Sequence, residues 1–292
     1  TLSAPADLRL PPVALAKLPN GLTLRVVEMH EVPLVRVTLR IRGGGRLDGD
    51  LPGLATFTAN LLDEGAGARD AFGIASEAAY LGAILNTAAD WDHSYINLST
   101  PRRTLGPALD LLADVALRPT FKSADIARER DLRLAQIVQQ RDQPNGMATL
   151  AFGAIVFPAN HPYHRPLNGD SAATTRLDSL TVRGFYARTF RPDQAELVIT
   201  GDITLAEARP EIAKRFGSWI QTRTAPPRAL TPPVVSRPSR REVFLVDKPG
   251  AAQSVIMIGA PGVARSNPDF PAIEVMNTIL GGSFSSRLNQ NL

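Results

Sequence analysis

The chain has 292 residues, of which 44% are hydrophobic, enough for a substantial packed core in one large or two smaller domains. It carries 32 basic and 28 acidic residues, for a formal net charge of +4. The absence of cysteine excludes disulfide bonds, thiolate catalysis and cysteine-ligated zinc. No stretch approaches the roughly 18 apolar residues that a membrane helix needs, so no membrane span is expected.

The first elements in chain order are two alternating strands, Leu22 to Glu28 and Leu34 to Arg42, joined by a hairpin turn that carries His30 and Pro33. After a glycine loop, apolar residues recur at helical spacing from Pro52 onward, which predicts a helix. The remaining predicted elements are helices at 70–81, 105–116, 123–140, 146–155, 182–189 and 205–216, and strands at 83–88, 94–99 and 195–200.

A proline-rich stretch with several arginines predicts a linker over residues 223–239, and no aromatic residues interleave with its charges, so nucleic-acid binding is not expected. The opening pattern then returns, because both Leu24 to Arg46 and Val243 to Arg265 contain strand, turn, strand and glycine loop. A helix after Pro271 continues the repeat. We therefore expect one α+β domain over residues 1–222 and the start of a second, homologous one over residues 240–292.

A series of short sequence motifs follows in a defined order along the chain. They are Leu18-x-Asn20-Gly21-Leu22, the loop Gly43 to Arg46, Pro52-Gly53-Leu54-Ala55, Gly82 to Thr87, Glu129-Arg130, Asp142-Gln143-Pro144, His161-Pro162-Tyr163, Arg165-Pro166, Gly169 and Thr200-Gly201-Asp202. This ordered set resembles the pitrilysin/insulinase (inverzincin) family of zinc metallopeptidases. The resemblance implies an α+β fold of the mitochondrial-processing-peptidase type. Its duplicated unit is a mainly antiparallel sheet packed with helices, and the second unit is expected to be truncated here.

The family's zinc motif is missing from the helix that should carry it. Active members have H-x-x-E-H, in which two histidines bind zinc and the glutamate activates the metal-bound water. The matching positions here are Thr56, Ala59 and Asn60. The family's third ligand, a glutamate on a later helix, corresponds to Gln136. The resemblance therefore implies no catalytic residue and no bound metal, with these four positions degenerate.

Glu129 is the one charged residue of the family's site that remains. It either supports a ligand position or forms a helix-surface pair with Arg133, and the sequence leaves both interpretations open. The histidines are expected to be turn or surface residues, not metal ligands: His30, His93, His161 and His164.

A strand edge carries the expected peptide-binding residues, Gly82, Ala83, Asn86 and Thr87. In active relatives the matching edge receives the substrate as an added β-strand, a mode that depends mainly on backbone groups. Peptide binding at this edge is therefore compatible with the loss of catalytic activity. The alternative is an ordinary sheet strand whose glycine eases a turn.

The resemblance implies a non-catalytic subunit, not an enzyme on its own. It would pair with an active zinc peptidase homologue carrying H-x-x-E-H and help to enclose and position peptide substrates. Zinc is expected only in that partner, and this chain is expected to need no cofactor. The alternative is a structural scaffold subunit of a larger assembly without a proteolytic role, and a less favoured third is an enzyme with unrecognised catalytic residues. A periplasmic or otherwise exported location is expected, with a cytoplasmic one as the alternative.

Overall fold

A computed structural model describes residues 10–220 and 231–291. They form two compact units that meet in the sequence between Pro233 and Val234. This point falls inside the expected linker, but residues 221–230 lie outside the described residues. The domain boundaries derived from the sequence therefore stay predictions.

The first unit contains both strands and helices, and the described part of the second contains helices but no strands. The strands are β1 (Ala14–Lys17), β2 (Thr23–Glu28), β3 (Leu34–Arg42), β4 (Gly65–Ala66), β5 (Arg69–Asp70), β6 (Ile84–Ala89), β7 (His93–Pro101) and β8 (Ala195–Gly201). The helices are α1 (Leu54–Asn60), α2 (Ala71–Leu81), α3 (Leu105–Leu117), α4 (Ser123–Asp142), α5 (Pro144–Val156), α6 (Ser171–Thr175), α7 (Ser179–Thr189), α8 (Leu205–Phe216), α9 (Phe270–Asn277) and α10 (Arg287–Asn291).

Local capping explains where several helices begin. Asp70 accepts a hydrogen bond from the amide of Gly73 and so caps α2. Thr204 and Glu207 form a reciprocal capping box at the start of α8. Each of these side chains satisfies an amide that the first helical turn would otherwise leave unpaired.

Six strands form the main sheet in the order β1-β2-β8-β3-β7-β6. Only the β2–β8 pair is parallel, and the other four pairs are antiparallel. The mainly antiparallel α+β architecture expected from the sequence is thus confirmed. The predicted hairpin between β2 and β3 is wrong, because β8 lies between them and hydrogen-bonds to both.

The sheet has one buried and one open face. On the buried face, alternate residues such as Leu24, Leu39, Ile96 and Leu197 are fully buried, and α1, α3 and α8 pack there. The alternate positions on the opposite face remain partly or fully exposed. This period-two pattern is typical of an antiparallel sheet with one covered face.

In the second unit, α9 confirms the helix predicted after Pro271. The two strands predicted between Val243 and Arg265 are not formed. A strand needs a neighbour to take up its backbone N–H and C=O groups, and the described residues of this unit supply none. Their apolar side chains are accordingly exposed, with Val243 at 96% and Ile258 at 93%.

Candidate functional site

Helix α1 carries the three positions where the zinc motif was expected. Asp48 precedes it and accepts hydrogen bonds from the amides of Gly53, at 2.7 Å, and Ala55, at 2.8 Å. A carboxylate is favourable there, because the first turn of a helix presents unpaired N–H groups and a partial positive charge. The helix is buried from Leu54 to Ala59.

Two glycines allow a second segment to approach the start of α1. Gly53 has φ +90°, and a Cβ placed on it would lie 2.6 Å from the backbone of Asn168. A Cβ on Gly169 would lie 2.2 Å from the carbonyl oxygen of Pro52. The backbone at 168–169 can therefore pack directly on the entry to α1, which gives the glycines of two sequence motifs a shared structural role.

The structure brings the two expected histidine positions against α4. Thr56 is buried, and its hydroxyl donates to the carbonyl of Gly53 at 3.0 Å. One turn later, Asn60 Nδ2 donates to Glu129 Oε1 at 2.9 Å. Ala59, at the position of the general base, is buried, whereas Gln136 is exposed. The third ligand position therefore does not join the other two in a buried polar group.

Arg133, which the sequence analysis considered only as a surface partner of Glu129, is a buried member of this group. Its Nη1 donates to Thr56 Oγ1 at 2.9 Å and to Gly53 O at 3.0 Å, and its Nη2 lies 3.5 Å from Glu129 Oε1. The guanidinium also lies over the ring of Phe57, 5.1 Å from its centroid. The helix-surface interpretation of the Glu129 and Arg133 pair is wrong, since both residues are buried.

The buried residues of α4 all lie on one face of the helix. Its buried side chains are Ile126, Glu129, Arg133 and Ile137. Spacings of three and four residues place them on one helical face. Charged residues occupy two of these core-facing positions, and this interruption of an apolar stripe is the signal from which the buried pair could have been predicted.

The charges of this group are coupled. Burial raises the pKa of the Asp48 carboxyl to about 7, although amide hydrogen bonds and Arg133 oppose the increase. Burial lowers the pKa of Arg133, and the carboxylates of Glu129 and Asp48 counteract that effect. An arginine nonetheless keeps its charge in proteins. One guanidinium thus stabilises two poorly solvated carboxylates.

The donor set does not fit a zinc ion. Zinc sites in proteins use imidazole, thiolate and carboxylate ligands, whereas α1 offers a hydroxyl, a methyl and a side-chain amide. A guanidinium nitrogen at 2.9 Å from Thr56 Oγ1 would also repel a divalent cation. Within residues 10–220 and 231–291, no group of three or more His, Cys, Asp or Glu side chains could hold a metal.

Two of the histidines contact Phe157 just beyond the end of α5. His161 is buried, accepts a hydrogen bond from the amide of Tyr163 at 3.0 Å and stacks on Phe157. His164 Nδ1 lies 2.8 Å from the carbonyl oxygen of Phe157. His161 therefore has a packing role, and His164 is held by a hydrogen bond to the backbone.

His30 has an acidic partner that the sequence analysis did not identify. Its Nδ1 lies 2.8 Å from Asp202 Oδ1, and Glu28 Oε2 is 3.8 Å from its other nitrogen. The hydrogen bond with Asp202 is the main cause of a raised His30 pKa. Asp202 follows β8 directly, so only the insertion of β8 beside β2 brings this pair together.

Strand β6 forms one edge of the sheet and lies beside α1. Thr87 Oγ1 donates to Asp63 Oδ1 at 3.2 Å, just beyond α1, and Asn86 accepts from Asn97 on β7. Gly82 and Ala83 precede the strand, and their amides donate to the last turn of α2. Of the expected peptide-binding residues, only Asn86 and Thr87 therefore lie in the edge strand itself.

Comparison with known proteins gives matches along most of the chain. A family model described as Insulinase (Peptidase family M16) matches residues 25–169, and one described as Peptidase M16 inactive domain matches residues 177–292. An uncharacterized zinc protease of Mycobacterium leprae is 30% identical over 281 residues, which are 94% of this chain. The chain spans 61% of the length of that relative.

Two solved structures show the same fold. A peptidase M16 inactive domain from Pseudomonas fluorescens has a TM-score of 0.81 and 24% identity, covering 96% of this chain and 67% of its own. A protease from Helicobacter pylori has a TM-score of 0.80 and 19% identity, covering 97% of this chain and 68% of its own. None of the helices in the described part of this chain is long and apolar enough to cross a membrane.

Proposed function

We propose that this chain, which belongs to the insulinase family of peptidases (M16), is a non-catalytic subunit of a two-component peptidase. It pairs with an active homologue that carries H-x-x-E-H and helps to enclose and position peptide substrates. Zinc belongs to the active partner only. An exported location is part of the same proposal.

The buried polar network between α1 and α4 carries this proposal. Arg133 bonds to Thr56 at the first expected histidine position, and Glu129 accepts from Asn60 at the second. The methyl group of Ala59 cannot accept a proton from water. These side chains satisfy one another, so the network needs no metal ion, and Ala59 leaves the expected general-base position without a carboxylate.

Edge strand β6 supports the substrate-positioning part of the proposal. Among the residues that the structure describes, it pairs with β7 only, so no described strand occupies the backbone groups of its other edge. A peptide in extended conformation can pair with such an edge without requiring particular side chains. Because β6 lies beside α1, a peptide added there would pass close to the degenerate site.

Metal content and peptidase activity test the non-catalytic assignment. The purified full-length protein is analysed for zinc and assayed on fluorogenic peptides, alone and mixed with a homologue that carries H-x-x-E-H. We expect substoichiometric zinc and no turnover alone, and a higher rate in the mixture than with the homologue by itself. Stoichiometric zinc together with activity of the isolated chain would overturn the proposal.

Hydrogen exchange tests the edge strand separately. We expect an added substrate peptide to slow amide exchange in β6 and to leave β1 unchanged. β1 is a matched control, because it forms the opposite edge of the same sheet. Equal protection of both strands, or of neither, contradicts peptide addition at β6. Co-purification of the chain with a large membrane assembly instead of a peptidase would favour the scaffold function.

A further inference from the structure

The charged side chains on the open face of the main sheet are mostly basic. Strand register places one set of partly or fully exposed side chains on this face, opposite the helices. Its charged members are Lys17, Arg25, Arg36, Arg40, Arg42 and Glu196. Five are basic and one is acidic. We call this set, with the strands that carry it, the basic face.

The single carboxylate of the basic face already forms ion pairs with two of its arginines. Glu196 lies 3.3 Å from Arg25 Nε and 2.8 Å from Arg40 Nη2, so it neutralises part of two guanidinium groups. Arg36 and Arg42 are exposed, and neither forms an ion pair with any residue that the structure describes. The basic face therefore has free positive charge at two points along its interior strand β3.

The two unpaired arginines are arranged in line. Both lie on β3, where alternate residues point to one side of the sheet at intervals of about 7 Å. They are six positions apart, which corresponds to about 20 Å along the strand. An extended polypeptide has the same repeat, so carboxylates on alternate residues of a peptide can meet successive cationic groups.

The rest of the basic face fits a peptide better than a nucleic acid. Single-stranded nucleic acids bind where aromatic rings for base stacking alternate with basic residues. The aromatic side chain beside Arg40 is Tyr95, and its hydroxyl donates to Asp90 Oδ2 at 2.6 Å. That carboxylate would repel a phosphate backbone at this end of the face, whereas a peptide can place a neutral or basic residue there.

We infer that the basic face binds acidic, extended segments of polypeptide substrates, with Arg36 and Arg42 as the main charge contacts. This inference rests on the proposed function, since it names the substrate class of the same peptide-positioning subunit. In this arrangement the sheet of this chain selects substrates by their negative charge, and the active partner cleaves them.

Binding measured without the active partner tests the charge selection. Fluorescence anisotropy compares three labelled peptides of about 16 residues, with glutamate, glutamine or lysine at every second position. We expect the full chain to bind the glutamate peptide about tenfold more tightly than the glutamine peptide at low salt, with the preference declining as salt screens the charges. A single-stranded oligonucleotide of equal charge is a fourth ligand, expected to bind more weakly than the glutamate peptide.

Charge reversal tests the assigned residues. We expect the double substitution R36E/R42E to weaken binding of the glutamate peptide about tenfold. The control double substitution R188E/R209E reverses two exposed helical arginines outside the basic face and should change binding less than twofold. Circular dichroism confirms that both variants fold.

Each alternative result has a distinct meaning. Equal affinity for the glutamate and glutamine peptides overturns the inference and leaves the proposed function standing. Stronger binding of the oligonucleotide, or equal losses in the two double variants, also overturns the inference. Failure to bind any peptide contradicts both the inference and the proposed function.

Discussion

Individual side chains show how this site differs from a metal centre. Three neutral residues lie on α1 where the zinc motif was expected, and Arg133 bonds to one of them, Thr56, and pairs with the Glu129 carboxylate. A buried guanidinium needs several hydrogen-bond partners, and here a hydroxyl, a carbonyl and a carboxylate surround it. The cation that holds α1 against α4 is therefore part of the chain.

Removal of this guanidinium should be costly. Arg133→Met leaves Glu129 buried without its charge partner, so we expect a loss of about 3–5 kcal/mol in the free energy of unfolding, measured with urea. Adding Glu129→Gln should recover part of that loss. Arg128→Met is the control on the same helix, because Arg128 is exposed and its ion pairs with Glu64 and Asp125 are worth below about 1 kcal/mol. Equal losses at positions 128 and 133 would contradict the buried role.

The His30 and Asp202 pair predicts a pH-dependent contribution to stability. Asp202 raises the folded-state pKa of His30 above its ordinary value of 6.5, so the pair stabilises fully below that value. The contribution is lost as the pH rises through the folded-state pKa. The melting-temperature difference between the wild type and Asp202→Asn should therefore be largest below pH 6.5 and shrink as the pH rises through the folded-state pKa of His30. NMR titration should show a lower His30 pKa in Asp202→Asn and a smaller decrease in Glu28→Gln.

The helices and strands agree closely with the sequence predictions where the pattern that predicts them is local. The sequence predicted a helix at residues 205–216, and α8 has those bounds, with a capping box of Thr204 and Glu207 at its start. Strands β3 and β7 agree with prediction to within two residues, because each alternates buried and exposed positions. The short strand β1 and the helix α6 were missed, since four or five residues carry too little periodicity.

The entry to α1 allows a prediction about backbone geometry. Gly53→Ala adds a Cβ at φ +90° and at 2.6 Å from the backbone of Asn168, so we expect it to destabilise the fold by more than about 2 kcal/mol. Gly49→Ala is the matched control: its φ is +61° and nothing lies within 4 Å of the added atom. It should cost about 1–2 kcal/mol from backbone strain alone. Thermal unfolding of both variants measures the difference, and equal melting temperatures would exclude a steric role for Asn168.

For the whole molecule, the first unit has a core of its own. Its buried apolar cluster extends from Leu18 to Phe216. We expect a fragment of residues 10–220 to unfold cooperatively, because a domain with its own hydrophobic core can fold alone. Circular dichroism melts of the fragment and the full chain measure this. A gradual, non-cooperative melt of the fragment would show that its core depends on residues outside this range.

The sequence by itself determined the family and most local elements, and it predicted Thr56, Ala59 and Asn60 as the positions where the zinc motif was expected. Those results depend on residue identity and short-range spacing. The tertiary structure decided that β8 separates β2 from β3, that Asp202 meets His30 and that Arg133 is buried beside Thr56. These contacts join residues 77 or more positions apart, and which distant strands and helices pack together is set by burial and backbone pairing across the whole fold.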